Sequence, residues 1–155
     1  MSTKKGYVAH PILDRHMVRD WIADIMKRTG ITLVNPIVDV EKEEEHDLKA
    51  SETGDYSAAT ADQIVLKDLD ALVDCDFTVA FVTGNRSYGT IMEIVYAALS
   101  LKPVFIVCTN GHDTHPWLAY HATKTFKTVE EFEDYVNEHA EDFGIGDSEH
   151  VEGEQ

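Results

Sequence analysis

Apolar residues along this chain form short continuous runs that alternate with stretches of helical spacing. The runs predict buried strands, and apolar residues that recur every three to four positions predict helices. The predicted strands are Tyr7–Ala9, Ile31–Val34, Phe77–Val82, Val104–Val107 and Thr125–Phe126. The predicted helices are Asp14–Arg28, Ser57–Val73, Thr90–Leu101, a short turn at Trp117–Ala122 and Thr128–Ala140. This alternation predicts an α/β fold: a doubly wound, mostly parallel sheet of about five strands with helices on both faces, of the flavodoxin or Rossmann kind.

One predicted helix, Thr90–Leu101, carries a single charge, Glu93, among apolar neighbours. Thr90 is placed to cap this helix, directly after a turn rich in Gly, Asn and Ser. Most helical glutamates are solvated surface residues. A carboxylate with apolar neighbours on every side needs partners or a function, because burying an unpaired charge is costly. The partial positive charge of the helix N-terminus favours its ionised form. Such a carboxylate is suited to nucleophilic attack on an anomeric carbon.

The chain of 155 residues is long enough for one domain with its own core. We expect residues 1–143 to form that domain and the acidic residues 144–155 to be a disordered tail. The acidic, irregular stretch Glu41–Tyr56 predicts a long loop, and a lid over the site is one possible role for it.

Charge and cysteine content narrow the classes of partner. The net charge of −16 argues against nucleic-acid polymers, whose phosphates need clustered Lys and Arg, but not against free nucleosides or bases. The two cysteines, Cys75 and Cys108, adjoin apolar runs and are expected to be reduced and buried. No apolar run is long enough to span a membrane. A cytoplasmic location is therefore the default expectation.

Ligands of such sheets bind at the carboxyl ends of the strands. This rule groups Tyr7, His10, Asn35, residues 83–89 and the start of the Glu93 helix. Neither GxGxxG nor GxxxxGK[ST] occurs, so NAD, ATP and GTP are not indicated and no cofactor is expected. His112 and His115 have HxxH spacing, but without a third ligand they predict no metal site.

Several segments stand in a recognisable order. They are Tyr7–Arg15, Asn35-Pro36, Asp68-Leu69, Gly89-Thr90-Ile91-Met92-Glu93-Ile94, Tyr96-Ala97 and Lys102-Pro103-Val104. In this order they resemble the nucleoside 2-deoxyribosyltransferase family, up to about Tyr135. No single motif is decisive, but the ordered set is fairly specific.

The resemblance implies a mechanism without a cofactor. Glu93 would attack the anomeric carbon of a 2′-deoxynucleoside, and a second base would take the sugar from the covalent intermediate with retention. Asp68 would hold the base or deliver a proton to it, and Tyr7 would orient Glu93. From position alone, the favoured interpretation of Asp68 is an exposed residue near a helix end, and Asp70, Asp74 and Asp76 nearby leave the choice among these carboxylates open. A related branch of the family hydrolyses deoxynucleoside monophosphates, and a non-catalytic nucleotide-sensing module is the alternative from another class.

The resemblance also implies substrate-binding residues and a homo-oligomer whose sites are completed by a neighbouring subunit. The expected binding residues are His10, Asn35, Ser87, Gly89, Thr90, His115 and Trp117. Ser87 stands where the family often has an Asp that contacts the base, and Val95 where it often has Gly. The family's Asn that reaches the neighbour's sugar has no assigned position in the loop Asn110–Trp117, where His115 or Trp117 could take its place.

Overall fold

The computed structural model describes residues 3–37 and 58–146, with only the backbone for residues 58–60. Within these residues one sheet contains five strands: β1 (Gly6–Ala9), β2 (Leu33–Val34), β3 (Phe77–Val82), β4 (Val104–Cys108) and β5 (Lys124–Phe126). They are all parallel and lie in the order β2-β1-β3-β4-β5. The predicted α/β fold is confirmed.

Helices follow the strands along the chain. They are α1 (Arg15–Thr29), α2 (Ala58–Val73), α3 (Tyr88–Leu99), α4 (Pro116–His121) and α5 (Val129–Glu138), with short 3-10 helices at Ile12–Asp14 and Ala140–Phe143. No helix within the described ranges has both the length and the apolar character needed to cross a bilayer.

Two hydrophobic clusters lie on opposite faces of the sheet. One packs α1 and α5 against the sheet through residues such as Ile22, Phe105 and Phe132. The other packs α2, α3 and α4 through Leu72, Ile94 and Leu118. Successive strand residues point to opposite faces, so the neighbours Tyr7 and Val8 enter different clusters. Tyr7 therefore faces α2 and α3.

The chain reverses direction across the sheet at β1. It passes from β1 to β2 on one side and then returns to β3 on the other side. The loops that leave the carboxyl ends of β1 and β3 consequently diverge to opposite faces and leave a crevice between them, which is where such folds bind ligands.

Helix α3 differs from its prediction at both ends. It spans Tyr88–Leu99 rather than Thr90–Leu101, and Ser87 is its N-cap in place of Thr90: the Ser87 Oγ accepts a hydrogen bond from the Thr90 backbone N at 3.1 Å. Serine is a strong N-cap, so the helix begins as soon as its hydroxyl can accept this bond. The helix ends before Leu101, whose φ of 59° lies in the left-handed region.

Lys102 has a role that its position next to Pro103 did not indicate. Its Nζ donates to the carbonyl oxygens of Val73 and Cys75, just beyond the end of α2. These bonds satisfy carbonyls that a helix end leaves without intrahelical partners. Lys102 thus links the chain segment after α3 to the end of α2.

The remaining boundaries shift by a few residues. The predicted second strand shortens to two residues, and α5 ends at Glu138 instead of Ala140. Thr128 caps α5, with its Oγ1 accepting from the Glu131 N at 3.1 Å. The Glu131 carboxylate accepts from the Lys127 N at 2.8 Å. The predicted loop at residues 41–56 and most of the predicted tail, residues 147–155, lie outside the described residues.

Candidate active site

Glu93 lies in the second turn of α3, and its side chain is directed back toward the start of that helix. A Cβ atom placed on Gly89 would lie 3.7 Å from the Glu93 Oε1 and 3.9 Å from the Ser87 Oγ. This direction follows from the backward tilt of helical side chains. Ser87, Gly89 and Glu93 therefore border one small space at the carboxyl edge of the sheet.

The Glu93 carboxylate is withdrawn from water. Its Oε2 is buried and has no hydrogen-bond partner among the described residues. Burial raises the pKa of Glu93 from 4.5 to about 7; the Tyr7 hydroxyl opposes this rise, and the negative charge of Asp68 adds to it. Desolvation is thus the largest influence on this carboxyl group, and it acts against the ionised form that the helix N-terminus is expected to favour.

Tyr7 is completely buried on β1, and its hydroxyl is the natural partner of Glu93. The phenol oxygen has no hydrogen bond of standard geometry among the described residues, but it lies near enough to Glu93 to favour the carboxylate form. Burial, then the charges of Glu93 and Asp68, raise the pKa of Tyr7 far above its usual value. The phenol therefore stays protonated and remains a hydrogen-bond donor.

Asp68 reaches the same place from α2. Its charge acts on both Tyr7 and Glu93, which is why it raises the pKa of each. Three elements thus bring together the three residues that the resemblance singled out: Tyr7 from β1, Asp68 from α2 and Glu93 from α3. Two carboxyl groups with one protonated phenol form an arrangement that can attack an electrophile and move a proton.

Ser87 and Thr90 are joined at the start of α3. The Ser87 Oγ accepts from the Thr90 N at 3.1 Å and from the Thr90 Oγ1 at 2.9 Å. Thr90 is buried and oriented by this contact. With both bonds accepted, the hydroxyl hydrogen of Ser87 is available to donate to another group.

His10 and Asn35 form a pair at the ends of β1 and β2. The His10 Nε2 and the Asn35 Oδ1 are 3.1 Å apart, and the same Oδ1 accepts from the Ile37 N at 3.1 Å. The His10 Nδ1 in turn lies 2.9 Å from the Pro11 carbonyl oxygen, so both ring nitrogens have a partner. Among the described residues, neither side chain is hydrogen-bonded to Tyr7, Asp68 or Glu93.

His115 and Trp117 are not brought to Glu93 within the chain. They border a separate cavity of about 290 Å³ between α3 and α4, together with Ile91, Ile94 and Val95. Glu93 faces the other side of α3, toward β1 and α2. The cavity lined by His115 and Trp117 thus lies on a different side of α3 from Glu93.

A set of polar side chains at the carboxyl edge of the sheet includes one residue that sequence reasoning missed, Asp14. The others are Thr83 and Asn85, from the predicted group of residues 83–89, and Asn110, from the loop after β4. Asp14 bonds to Thr83 and Asn85, and the Asn110 Nδ2 donates to the Thr83 carbonyl oxygen at 3.1 Å. Asn110 is thus turned inward within its own subunit. Asp14 looked like an ordinary residue at a helix start, so only its place in the segment Tyr7–Arg15 hinted at a role.

Metal ligation finds no support in these side chains. Within residues 3–37 and 58–146, no group of three or more His, Cys, Asp or Glu residues is placed to hold a metal ion. In the HxxH pair, the His115 Nδ1 accepts from the Trp117 N at 3.3 Å and caps α4.

Comparisons with known proteins also indicate the nucleoside 2-deoxyribosyltransferase family. The sequence model of the nucleoside 2-deoxyribosyltransferase family matches residues 7–148. A 2-deoxyribosyltransferase from Bacillus psychrosaccharolyticus has a similar structure, with a TM-score of 0.62 and 18% identity over 84% of this chain and 91% of that one. The CMP N-glycosidase of Clostridium botulinum gives a TM-score of 0.55 and 16% identity over 88% of this chain and 99% of that one. No curated protein sequence matches at a significant level.

The family match confirms the resemblance found in the sequence. The match spans nearly all of the described residues and includes Tyr7, Asp68 and Glu93. The two structural likenesses, at identities below a fifth, establish a shared fold.

Replacing Glu93 with Gln is expected to stabilise the protein above neutral pH. The pKa of Glu93 is 4.5 when unperturbed and about 7 when folded, so the folded state binds this proton more tightly. That stability is fully present below pH 4.5 and is lost as the pH rises through 7, at a cost of about 3 kcal/mol. Denaturant unfolding at pH 4 and pH 8 should show that Glu93→Gln gains stability only at pH 8.

The matched control is Glu138→Gln, which removes an exposed carboxylate from α5. It should give no comparable gain at either pH. An equal effect of Glu93→Gln at both pH values would show that the Glu93 carboxylate is not strained by its burial.

Proposed function

The chain belongs to the nucleoside 2-deoxyribosyltransferase family, and we propose that it transfers 2-deoxyribose between the bases of 2′-deoxynucleosides with Glu93 as nucleophile. Enzymes of this family transfer or hydrolyse glycosyl groups of nucleosides or nucleotides. One observation carries the assignment to Glu93: a desolvated carboxylate lies beside a protonated phenol and a second carboxyl group at the sheet's ligand-binding edge.

In the first step the ionised Glu93 attacks the anomeric carbon of the nucleoside. An ester bond forms between the carboxylate oxygen and C1′, while the C1′–N bond breaks and its electron pair leaves with the base. A poorly solvated carboxylate is a stronger nucleophile than one in water, so the burial that raises its pKa also serves the attack.

Tyr7 and Asp68 divide the supporting tasks. The buried Tyr7 phenol, which cannot ionise at neutral pH, orients the carboxylate and favours its ionised form. Asp68 holds the base or relays the proton that the departing base nitrogen requires. Its charge near Glu93 also keeps the two carboxyl groups from ionising independently.

In the second step a free base attacks C1′ from the side that the first base left. The ester bond breaks, Glu93 regains its electron pair, and the incoming nitrogen passes its proton to Asp68. Two inversions give net retention. If water takes the place of the base, the same intermediate yields free sugar, so hydrolysis is the second candidate function.

Ser87 is the observation that keeps hydrolysis in view. Its hydroxyl can donate a hydrogen bond beside Glu93, but it cannot hold the charge that an Asp would supply at the same position. A site with weaker contacts to the base retains it less well after cleavage and leaves room for water. Gly89, Thr90, His10 and Asn35 complete the proposed binding surface in the crevice.

A homo-oligomer is the second part of the proposal. Four large side chains form an exposed stripe along α3: Tyr88, Met92, Tyr96 and Leu99. Tyr88 is 95% exposed, and Trp117 on α4 is 71% exposed. An uncharged apolar surface on a chain of net charge −16 is typical of an interface. Contact across it would bring His115 and Trp117 of one copy toward the Glu93 side of another.

Turnover is the direct test of this function. Each 2′-deoxynucleoside is incubated with and without a different free base, and the products are separated by chromatography. A new deoxynucleoside that forms only with the acceptor base identifies a transferase, whereas free base without an acceptor identifies a hydrolase, to be repeated with the 5′-monophosphates. Glu93→Ala should lower either rate by at least about 10³-fold.

The control for this assay is Glu138→Ala, which should retain the wild-type rate. Binding of nucleosides by the wild-type protein with no turnover would contradict the enzyme and leave the sensing module. An equal loss of activity in Glu93→Ala and Glu138→Ala would contradict a specific role of Glu93 in the reaction.

The pH dependence of the rate follows from the pKa of Glu93. Because the attacking form is the carboxylate, kcat/KM should rise with pH and reach half its maximum near pH 7. Tyr7→Phe removes the hydroxyl that lowers this pKa, so its half-maximum should move to higher pH. A half-maximum near pH 4.5 in the wild-type protein would contradict a buried nucleophile.

Light scattering tests the oligomer. Met92→Glu places a charge in the middle of the apolar stripe and should lower both the molar mass in solution and kcat. Met26→Glu, on α1 across the sheet, should change neither. A wild-type protein that is monomeric yet fully active would refute a site shared between copies.

A further inference from the structure

Asp14 has an unusual position for a carboxylate, because it precedes a helix without capping it. It lies at the N-cap position of α1 and is only 6% exposed, yet its side chain makes no capping hydrogen bond. An Asp at this position ordinarily accepts from a backbone N–H of the first turn, a bond worth about 1 kcal/mol. The side chain is instead directed across the crevice to the loop that follows β3.

Both oxygens of Asp14 are used by that loop. The Oδ2 accepts from the Thr83 Oγ1 at 2.5 Å, and the Oδ1 accepts from the Asn85 Nδ2 at 2.6 Å. The Asn85 backbone N also donates to the Thr83 Oγ1 at 3.1 Å, which closes a compact ring of contacts. Two neutral side chains, Thr83 and Asn85, thus hold the buried carboxyl group of Asp14.

The loop held by Asp14 is the one that borders the nucleophile. It continues from Asn85 to Ser87 and Gly89, and a Cβ atom placed on Gly89 would lie 3.7 Å from the Glu93 Oε1 and 3.9 Å from the Ser87 Oγ. Its other side is held by Asn110 of the loop after β4, through the Thr83 carbonyl oxygen. The conformation of residues 83–87 therefore depends on contacts from the segments that follow both neighbouring strands, β1 and β4.

We propose that Asp14 is a positioning residue for the nucleophile: it fixes the loop of Thr83 and Asn85 so that Ser87 and Gly89 close over Glu93. It reaches the loop across the crevice between β1 and β3, where a substrate would enter. The effect of Asp14 on catalysis rests on the proposed function. Its effect on the environment of the Glu93 carboxylate does not depend on that function.

If Asp14 positions this loop, its removal should change the pKa of Glu93, whereas a loss of overall stability alone would not. Desolvation is the largest cause of the raised pKa of Glu93. If the loop relaxes, water reaches the carboxylate and its pKa falls toward 4.5. The other titratable groups that face Glu93 are Tyr7 on β1 and Asp68 on α2, and variants of Asp14 or Thr83 leave both in place. A purely structural residue would lower the free energy of unfolding without moving this pKa.

The test is an NMR titration of the Glu93 carboxyl carbon in protein labelled with ¹³C-glutamate, assigned by its absence in Glu93→Gln. Thr83→Val keeps the shape of the side chain and removes the hydroxyl, and Asp14→Ala removes the carboxylate. In both, the pKa of Glu93 should fall by at least one unit, and kcat should fall at least tenfold with KM changed less than threefold. Thr83→Ser, which keeps the hydroxyl, should recover most of both effects.

The matched control is Asp24→Asn, which removes an exposed charge from α1 and should change neither value. If Asp14→Ala does not fold, Thr83→Val alone decides the matter. An unchanged pKa in the folded variants overturns the positioning role. Failure of the proposed function would appear differently: the wild-type protein would turn over no nucleoside, while the titration would still report the effect of Asp14.

Discussion

The burial of the Glu93 carboxylate beside Tyr7 and Asp68 is the constraint on which the site depends. A charge in this position opposes folding, because the raised pKa corresponds to about 3 kcal/mol at alkaline pH. The same desolvation makes the carboxylate reactive and sets its ionisation near neutrality. Stability and reactivity therefore pull in opposite directions at one side chain, a conflict that is common at active sites and rare elsewhere.

The fold supplies this setting through its topology. The reversal of strand order at β1 opens a crevice between β1 and β3, and the alternation of strand residues turns Tyr7 toward α2 and α3. Asp68 and Glu93 then extend from those two helices, beside the packed cluster that includes Leu72 and Ile94. Asp14 holds the loop that leads from β3 to Ser87 and the start of α3. Most of the site is consequently held by regular elements, which favours the precise orientation that displacement at an anomeric carbon requires.

Sequence reasoning recovers the parts that local patterns encode. Continuous apolar runs locate the strands because parallel strands are buried on both faces. The lone charge in an apolar helix predicts Glu93 as a site residue. Sequence reasoning fails where partners distant in sequence decide the outcome. Asp14 looks like a helix cap until Thr83 is seen opposite it, and the pKa of Glu93 depends on burial that no spacing reveals. The resemblance assigns His115 and Trp117 to substrate binding, but in the structure they line a cavity on a different side of α3 from Glu93.

Mass spectrometry of the protein quenched during turnover tests the central claim most directly. The account predicts that the peptide containing Glu93 gains the mass of one deoxyribosyl group, attached to the Glu93 carboxylate. The same peptide from the Glu93→Gln variant should gain no mass. Turnover with no modified peptide at any quench time, or a deoxyribosyl group attached to a different residue, would contradict Glu93 as the nucleophile.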